Sequence, residues 1–243
     1  MKERQSRLQN LFERIRLYRD WWKVVPPFNR FYNKTREHFV TLRTGEMMQI
    51  RDIFGVDLAI IRELFGQDVY NLRELSLPKD AVVLDVGAHI GSFSAAIHSK
   101  FADARITAFE PHPDNFIFLQ KNAPFAECVN VAVAGHEGEA YLGDHRASSS
   151  YALGDSGLAV KTVTLESYMC AVPRIDLLKV DVEGSEKDIF ENLNPSLLMR
   201  VDRIFMEIHP PHKNEWFVSL LENAGFQVSL EDNILFATRE NIQ

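Results

Sequence analysis

From Ala81 to Phe226 the chain alternates short apolar runs with amphipathic stretches, and no other feature limits its fold so tightly. "AVVLDVG", "RITAFEP", "CVNVAVAG", "LAVKTVTL", "IDLLKVDVEG" and "DRIFMEIHP" read as strands. "SFSAAIHSKF", "PDNFIFLQKNA", "LESYMCAV", "SEKDIFENLNPSLL" and "NEWFVSLLENAGF" read as helices that follow or separate them. Strands that are apolar throughout need cover on both faces, which a parallel sheet flanked by helices supplies. Right-handed crossovers then leave a doubly wound arrangement. Gly225 caps the last helix. The final "QVSLEDNILFATRE" forms two strands around Glu-Asp-Asn, and a turn that short makes the pair antiparallel.

Upstream, Leu8, Leu11, Phe12, Ile15, Tyr18, Trp22 and Val25 recur at helical spacing, predicting a helix over 4–25 that Pro26-Pro27 ends. "HFVTLRTGEMMQIRD" reads as two short strands around a Thr-Gly turn, and "VDLAIIRELF" as a short amphipathic helix. Pro78-Lys79-Asp80 is a turn before the first core strand. With 243 residues, 46% of them hydrophobic, the chain can bury one sizeable core. The expected division is a helical and hairpin extension over 1–75 and an α/β domain over 76–243.

Charge divides the same way. Residues 1–36 carry ten lysines and arginines against Glu3, Glu13 and Asp20, a net +7 in a chain of net −7, so the remainder carries −14. An acidic body argues against nucleic acid as a partner, because that binding rests on phosphate neutralisation. Two cysteines, Cys128 and Cys170, give neither a disulfide framework nor a thiolate zinc site, and their apolar neighbours predict buried free thiols. "MKERQSRLQN" lacks the apolar core of a signal peptide, and no run approaches the ~18 apolar residues of a spanning helix. The expectation is a cytoplasmic protein.

The stretch "VVLDVGAHIGSF" puts Gly87 and Gly91 straight after a buried strand. Ligands of doubly wound sheets bind beyond the carboxyl ends of the strands, so a bare turn there makes room for a nucleotide-like cofactor. A tight strand-to-helix turn with no ligand explains the glycines equally well. Glu110 favours the cofactor: it ends the second strand 19 residues past Gly91, where a carboxylate can accept both hydroxyls of a ribose. The nicotinamide fingerprint spaces three glycines as G-x-G-x-x-G. Here the pattern is D-x-G-x-x-x-G, with Ala88 in place of a middle glycine. That pattern and the antiparallel last strand are similar to the class I S-adenosylmethionine (SAM)-dependent methyltransferases.

Four phrases in order, "LDVGAHIGSFS", "AFEPHPDN", "DLLKVDVEGSE" and "FMEIH", resemble the FkbM family of methyltransferases over about 82–209. Members mostly methylate hydroxyls of sugars or polyketide-type natural products. The resemblance implies an α/β fold: a doubly wound, mostly parallel, seven-stranded Rossmann-like sheet with an antiparallel last strand, here with an N-terminal helical extension. It implies SAM as cofactor, with Asp85, Gly87, Ala88 and Gly91 shaping the methionine end and Glu110, followed by Pro111, at the ribose. Asn130 and Ala132 would border the adenine. His89 stands where the family's loop would carry Asn.

Methylating an alcohol needs a base or a metal, since the hydroxyl is a poor nucleophile until its proton leaves. Lys179, Asp181 and Glu183 alternate along one strand, and Glu207 and His209 along another. Lys179 is expected to pair with Glu207 for structural reasons. His209 is expected to be the base, with Asp181 orienting it or touching the cofactor; His212 ranks second. The competing arrangement is a divalent cation on Asp181, Glu183 and His209. The polar insertion with Ser148, Ser149 and Ser150 is expected to line the pocket for a small-molecule or glycan acceptor. The basic, aromatic N-terminal helix reads as packed on its own domain, as a homodimer face, or as a peripheral membrane contact. Two rival functions share the fold. One is an NAD(P)-dependent sugar oxidoreductase or epimerase, disfavoured by the glycine spacing; the other is a non-catalytic SAM-fold partner protein.

Overall fold

The computed structural model describes residues 2–26, 28–30, 38–51, 55–143, 153–154, 156–209 and 214–239. Helix α1 (Lys2–Leu17) ends well before Val25. The chain leaves the helix to join strand β1 (His38–Thr41), which pairs antiparallel with β2 (Met47–Ile50). Arg19 N–H donates to the Thr41 carbonyl at 2.7 Å, Arg43 N–H to the Leu17 carbonyl at 2.9 Å, and the Asp20 carboxylate accepts the Thr41 N–H at 2.9 Å. These bonds replace the next helical turn, a tertiary override that periodicity cannot announce. The apolar stripe then divides. Leu11, Leu17 and Trp21 pack against a cluster holding Val40, Met48, Ile61 and Ile90, whereas Phe12, Trp22 and Phe28 stay exposed. Helix α2 (Val56–Ile61) runs on into a π-helical turn over Arg62–Gln67.

The body alternates as its pattern requires. Strand β3 (Val82–Val86) leads to α3 (Ser92–Lys100), then β4 (Arg105–Phe109), α4 (Pro113–Asn122) and β5 (Glu127–Val129). Four short strands follow: β6 (Ala132–Ala134), β7 (Gly138–Leu142), β8 (Leu153–Gly154) and β9 (Leu158–Thr164). Helix α5 (Leu165–Met169), capped by Thr164, precedes β10 (Leu177–Val180). After α6 (Glu186–Glu191) come β11 (Arg203–Glu207), α7 (Glu215–Asn223), β12 (Phe226–Glu231) and β13 (Ile234–Arg239). The main sheet has seven strands in the order β12-β13-β11-β10-β3-β4-β5, and β13 is antiparallel to both its neighbours. That is the doubly wound, mostly parallel sheet with an antiparallel last strand. No described helix is long and apolar enough to cross a membrane.

Two expectations change. "CVNVAVAG" is not one strand: β5 belongs to the main sheet, while β6 belongs to a second, four-stranded sheet ordered β6-β9-β7-β8. The break falls at Asn130, whose amide turns back to the Glu110 and Pro111 carbonyls at 2.8 and 3.0 Å. "LAVKTVTL" accordingly sits in the small sheet as β9. Both cysteines are free, but Cys128 is half-buried and Cys170 exposed. Order reverses in the main sheet between β3, which runs on to β4 and β5, and β10, which runs on to β11. The crevice outside that reversal is where such a sheet binds its ligand.

Candidate active site

Gly87 follows β3 with φ of +78°, and a Cβ there would lie 1.8 Å from the backbone oxygen of Asp181. Only glycine lets the ends of β3 and β10 approach this closely. The Gly87 and Ala88 N–H groups both donate to the Phe109 carbonyl, at 3.0 and 2.9 Å. Gly91 opens α3 at φ +86°, with Leu119 2.9 Å from where a Cβ would sit. The turn is therefore dictated by its neighbours as well as by any ligand.

Glu110, just past β4, is 5% exposed. One carboxylate oxygen accepts the His89 N–H at 2.8 Å; the other accepts the His112 N–H at 2.9 Å and the Asn115 amide at 3.1 Å. Burial outweighs these donors and pushes its pKa up to about 7. The side chain is fixed at the wall of a cavity of about 300 Å3 instead of pointing into bulk water.

Of the sequence's cofactor candidates, Gly87, Ala88, Glu110, Pro111, Ala132 and Asp181 line that cavity. Asp85 and Gly91 stand behind it. Asp85 is fully buried and accepts the Ser94 hydroxyl at 2.7 Å. Asn130 is spent on the backbone of Glu110 and Pro111, bracing the wall from outside. Val56, Ala59, Ile60, Glu63 and Leu64 of α2 and the π-helical turn line the cavity too, with Tyr70. Leu142 and Leu153 of the small sheet complete the lining named here. Ser148, Ser149, Ser150 and His212 lie outside the described residues.

Lys179 does not take Glu207 as its partner. Parallel register sets it beside Asp85 on β3 and Phe205 on β11, so its ammonium lies 3.3 Å from Asp85, 3.7 Å from Asp181 and 2.7 Å from the Gly87 carbonyl. Burial works against the charge, but Asp85 and Asp181 outweigh it and hold the lysine above its ordinary pKa. Asp181 keeps 27% of its side chain open, and burial together with Glu207 lifts its pKa despite Lys179.

Strand β10 stops at Val180, so Glu183 sits in a turn (φ +55°) instead of continuing the strand face. It is brought beside His209 all the same. The imidazole meets Glu186 at 3.3 Å through Nδ1, and Glu207 at 3.4 Å and Glu183 at 3.6 Å through Nε2. Hydrogen bonds to Glu186 and Glu207 push its pKa up to about 11, so the ring is a cation at neutral pH. Glu183, by burial and the nearby Asp181, is pushed up to about 7. Asp181, Glu183 and Glu207 line the cavity, and His209 stands behind them. Asp181, Glu207 and His209 each offer one ligand atom within 4.8 Å of the others, a set that could hold a metal ion. Glu207 takes the place expected for Glu183.

Glu186 was not legible as a site residue. It is 1% exposed and also accepts the Val182 and Gly184 N–H groups, at 3.3 and 3.0 Å. The available signal was an acid following Gly184-Ser185 at a turn, a place from which a carboxylate reaches back to the turn's own amides.

The profile of the methyltransferase FkbM domain matches residues 85–228. The chain belongs to the FkbM family of SAM-dependent methyltransferases. Among curated proteins, Methyltransferase 1 of Beauveria bassiana is 29% identical, the match covering 63% of this chain and 75% of that protein. Hexuronic acid methyltransferase AglP of Haloferax volcanii is 26% identical, covering 67% and 72%. AMB antimetabolite synthetase AmbE of Pseudomonas aeruginosa is 27% identical over 65% of this chain, which spans 10% of that protein's length. The FkbM match includes Asp85, Gly87, Glu110, Asp181 and His209 and leaves out the α2 wall. The residues present suit SAM: a buried carboxylate able to accept a diol, apolar Phe109, Ala132 and Leu142 in the same lining, and acidic side chains compatible with a cation.

Proposed function

We propose that this FkbM-family protein transfers a methyl group from SAM to a hydroxyl of a neutral sugar, glycan or natural-product acceptor. One observation carries the reading: the Glu110 wall and the Asp181–Glu183–Glu207 wall share a single cavity. When bound, SAM supplies an electrophilic methyl on a sulfonium. Glu110 would accept the ribose hydroxyls, the Gly87-Ala88 turn would leave room for the methionine arm, and Ala132 with Pro111 would flank the adenine. Displacement is in line, so holding the hydroxyl against the cofactor supplies much of the rate.

We assign the base to Glu183 instead of His209, because the imidazole is cationic and stands behind the cavity wall. Glu183 lines the cavity and would take the hydroxyl proton, with a pKa matched to neutral pH. His209 would act as a positioning residue holding Glu183 and Glu207, and Asp181 would face the sulfonium. The cavity charge speaks to the acceptor. Glu63, Glu110, Asp181, Glu183 and Glu207 line it, and among its described residues the cation is Lys179, already paired with Asp85. The name of AglP gives a hexuronic acid as that relative's acceptor. An anionic acceptor would be repelled here, whereas a polyol donates hydrogen bonds to carboxylates.

Transfer of labelled methyl from SAM to matched pairs of neutral glycosides and uronates tests this. The neutral member of each pair is expected to be labelled. Labelling of uronates alone, or binding of NADH in place of SAM, contradicts it. A second reading, a divalent cation on Asp181, Glu207 and His209, has the same cluster in its favour. Turnover lost to EDTA and restored by magnesium or manganese would establish it; turnover unchanged by EDTA is the outcome expected of the metal-free mechanism.

A further inference from the structure

Arg51 follows β2, outside the span matched by the FkbM profile, yet its side chain ends at the cofactor wall. Its guanidinium pairs with Asp57, a residue 2% exposed, which also accepts the Arg51 backbone N–H at 2.8 Å. The remaining donors reach the glycine turn and the helix after β4. Nη2 contacts His89 Nε2 at 2.6 Å, and Nη1 donates to Asn115 Oδ1 at 2.5 Å. Both contacts lead to one carboxylate, because Asn115 donates to one oxygen of Glu110 and the His89 backbone N–H donates to the other.

Arginine has donors only, so His89 Nε2 must be the acceptor and its proton must sit on Nδ1. Burial, then Arg51, lower the His89 pKa to about 3 and keep the ring neutral. His89 also holds φ of +51°, a conformation that persists in a non-glycine residue when its surroundings over-determine it. A second tie runs in parallel. Buried Asn122 accepts the Gln49 N–H at 2.7 Å and donates to the Gln49 and Ile90 carbonyls at 3.0 and 2.8 Å, joining β2 to the same turn.

We infer that Arg51 is a positioning residue for the methyl-donor site, fixing the glycine turn through His89 and the ribose carboxylate through Asn115. This rests on the reading that Glu110 binds the ribose of SAM. The N-terminal hairpin is then a working part of the donor site, and its guanidinium fork serves three partners at once. A lysine could keep the pair with Asp57 but could not also hold His89 and Asn115.

The test is calorimetric titration of S-adenosylhomocysteine into the full chain at pH 8, alongside melting temperature. Arg51→Ala and Asn115→Ala are each expected to weaken binding about tenfold or more, the scale of a lost hydrogen bond to a charged group. Arg51→Lys is expected to recover most of the melting temperature but little of the affinity, a separation that a merely structural role would not produce. Folded Arg51→Ala or Asn115→Ala binding within twofold of wild type overturns the inference, as does affinity that follows melting temperature across all three variants. If Arg51→Ala does not fold, Arg51→Lys decides, since it keeps a cation on Asp57; affinity within twofold of wild type in that variant overturns the inference. Wild-type protein that binds no S-adenosylhomocysteine removes the donor-site reading itself, an outcome distinct from unequal variants.

Discussion

The two halves of the cavity are built by different means. On the side read as the donor site, Gly87 and Glu110 each follow directly on a core strand; neighbouring backbone and the Asn115 amide hold them, with Arg51 bracing from the end of β2. The other side gathers distant segments, with α2 and the π-helical turn lining the same cavity as Asp181, Glu183 and Glu207. Substitutions in α2 can therefore change that wall without touching the strand ends that carry Glu110, Asp181 and Glu207. The family match follows the same line, taking in the strand ends and leaving out α2.

Substitutions should separate the halves. The largest effect is expected at Gly87→Ala, where a methyl group meets the Asp181 carbonyl at 1.8 Å in a left-handed backbone. We expect a loss of more than about 3 kcal/mol in stability by thermal or urea unfolding, together with loss of S-adenosylhomocysteine binding. Next is Lys179→Met, which leaves Asp85 buried without its cation and is expected to cost about 3–5 kcal/mol. The double variant with Asp85→Leu should recover much of that, and a double-variant loss equal to the sum of the two single losses would show that the pair is not coupled.

Glu183→Gln should spare the donor half. We expect kcat to fall about 10²–10⁴-fold with S-adenosylhomocysteine affinity unchanged; a variant that turns over normally returns the base to another group. A pH series then addresses Glu110. Its folded pKa is raised to about 7, so the carboxylate gains a proton, and loses acceptor capacity, as pH falls through 7. Donor affinity is expected to be full above that pH and to decline below it, and Glu110→Gln should be weak and flat throughout. The same raised pKa means the folded state favours the protonated acid, so this group's contribution to stability is largest below its usual pKa and is lost as pH rises through 7. The smallest effect is expected at Trp22→Ala, since that ring is 49% exposed. Stability should change by no more than about 0.5 kcal/mol, and flotation on anionic liposomes distinguishes a membrane contact, if the wild type floats and the variant does not, from packing on the protein's own body.

The same contrast explains what could be read from residues alone. "VVLDVG", "RITAFEP" and "IDLLKVDVEG" announce buried parallel strands because their apolar runs are continuous and their ends carry glycine, proline or acid. Gly87 and Glu110 were legible as a pocket because both lie within a few residues of those ends. Leu17 as a helix end was not legible, since the bonds that stop α1 come from Thr41 and Arg43 in a distant strand. The division of β5 from β6 leaves no mark in hydropathy, being made by one amide of Asn130. Ala59, Ile60 and Glu63 follow the ordinary amphipathic pattern of a core-facing helix, and only the tertiary fold turns them toward a cavity. A lysine deep in a strand needs a partner, but register between β10 and β3, not spacing along the chain, gives Lys179 Asp85.

A crystal structure of the chain with S-adenosylhomocysteine tests the central claim most directly. The account predicts the ribose hydroxyls within about 3 Å of the Glu110 carboxylate, a hydrogen-bond distance, with the homocysteine arm running past Gly87 toward Asp181. Ligand density with the ribose elsewhere and the Glu110 carboxylate still bound to His89, His112 and Asn115 alone would contradict it.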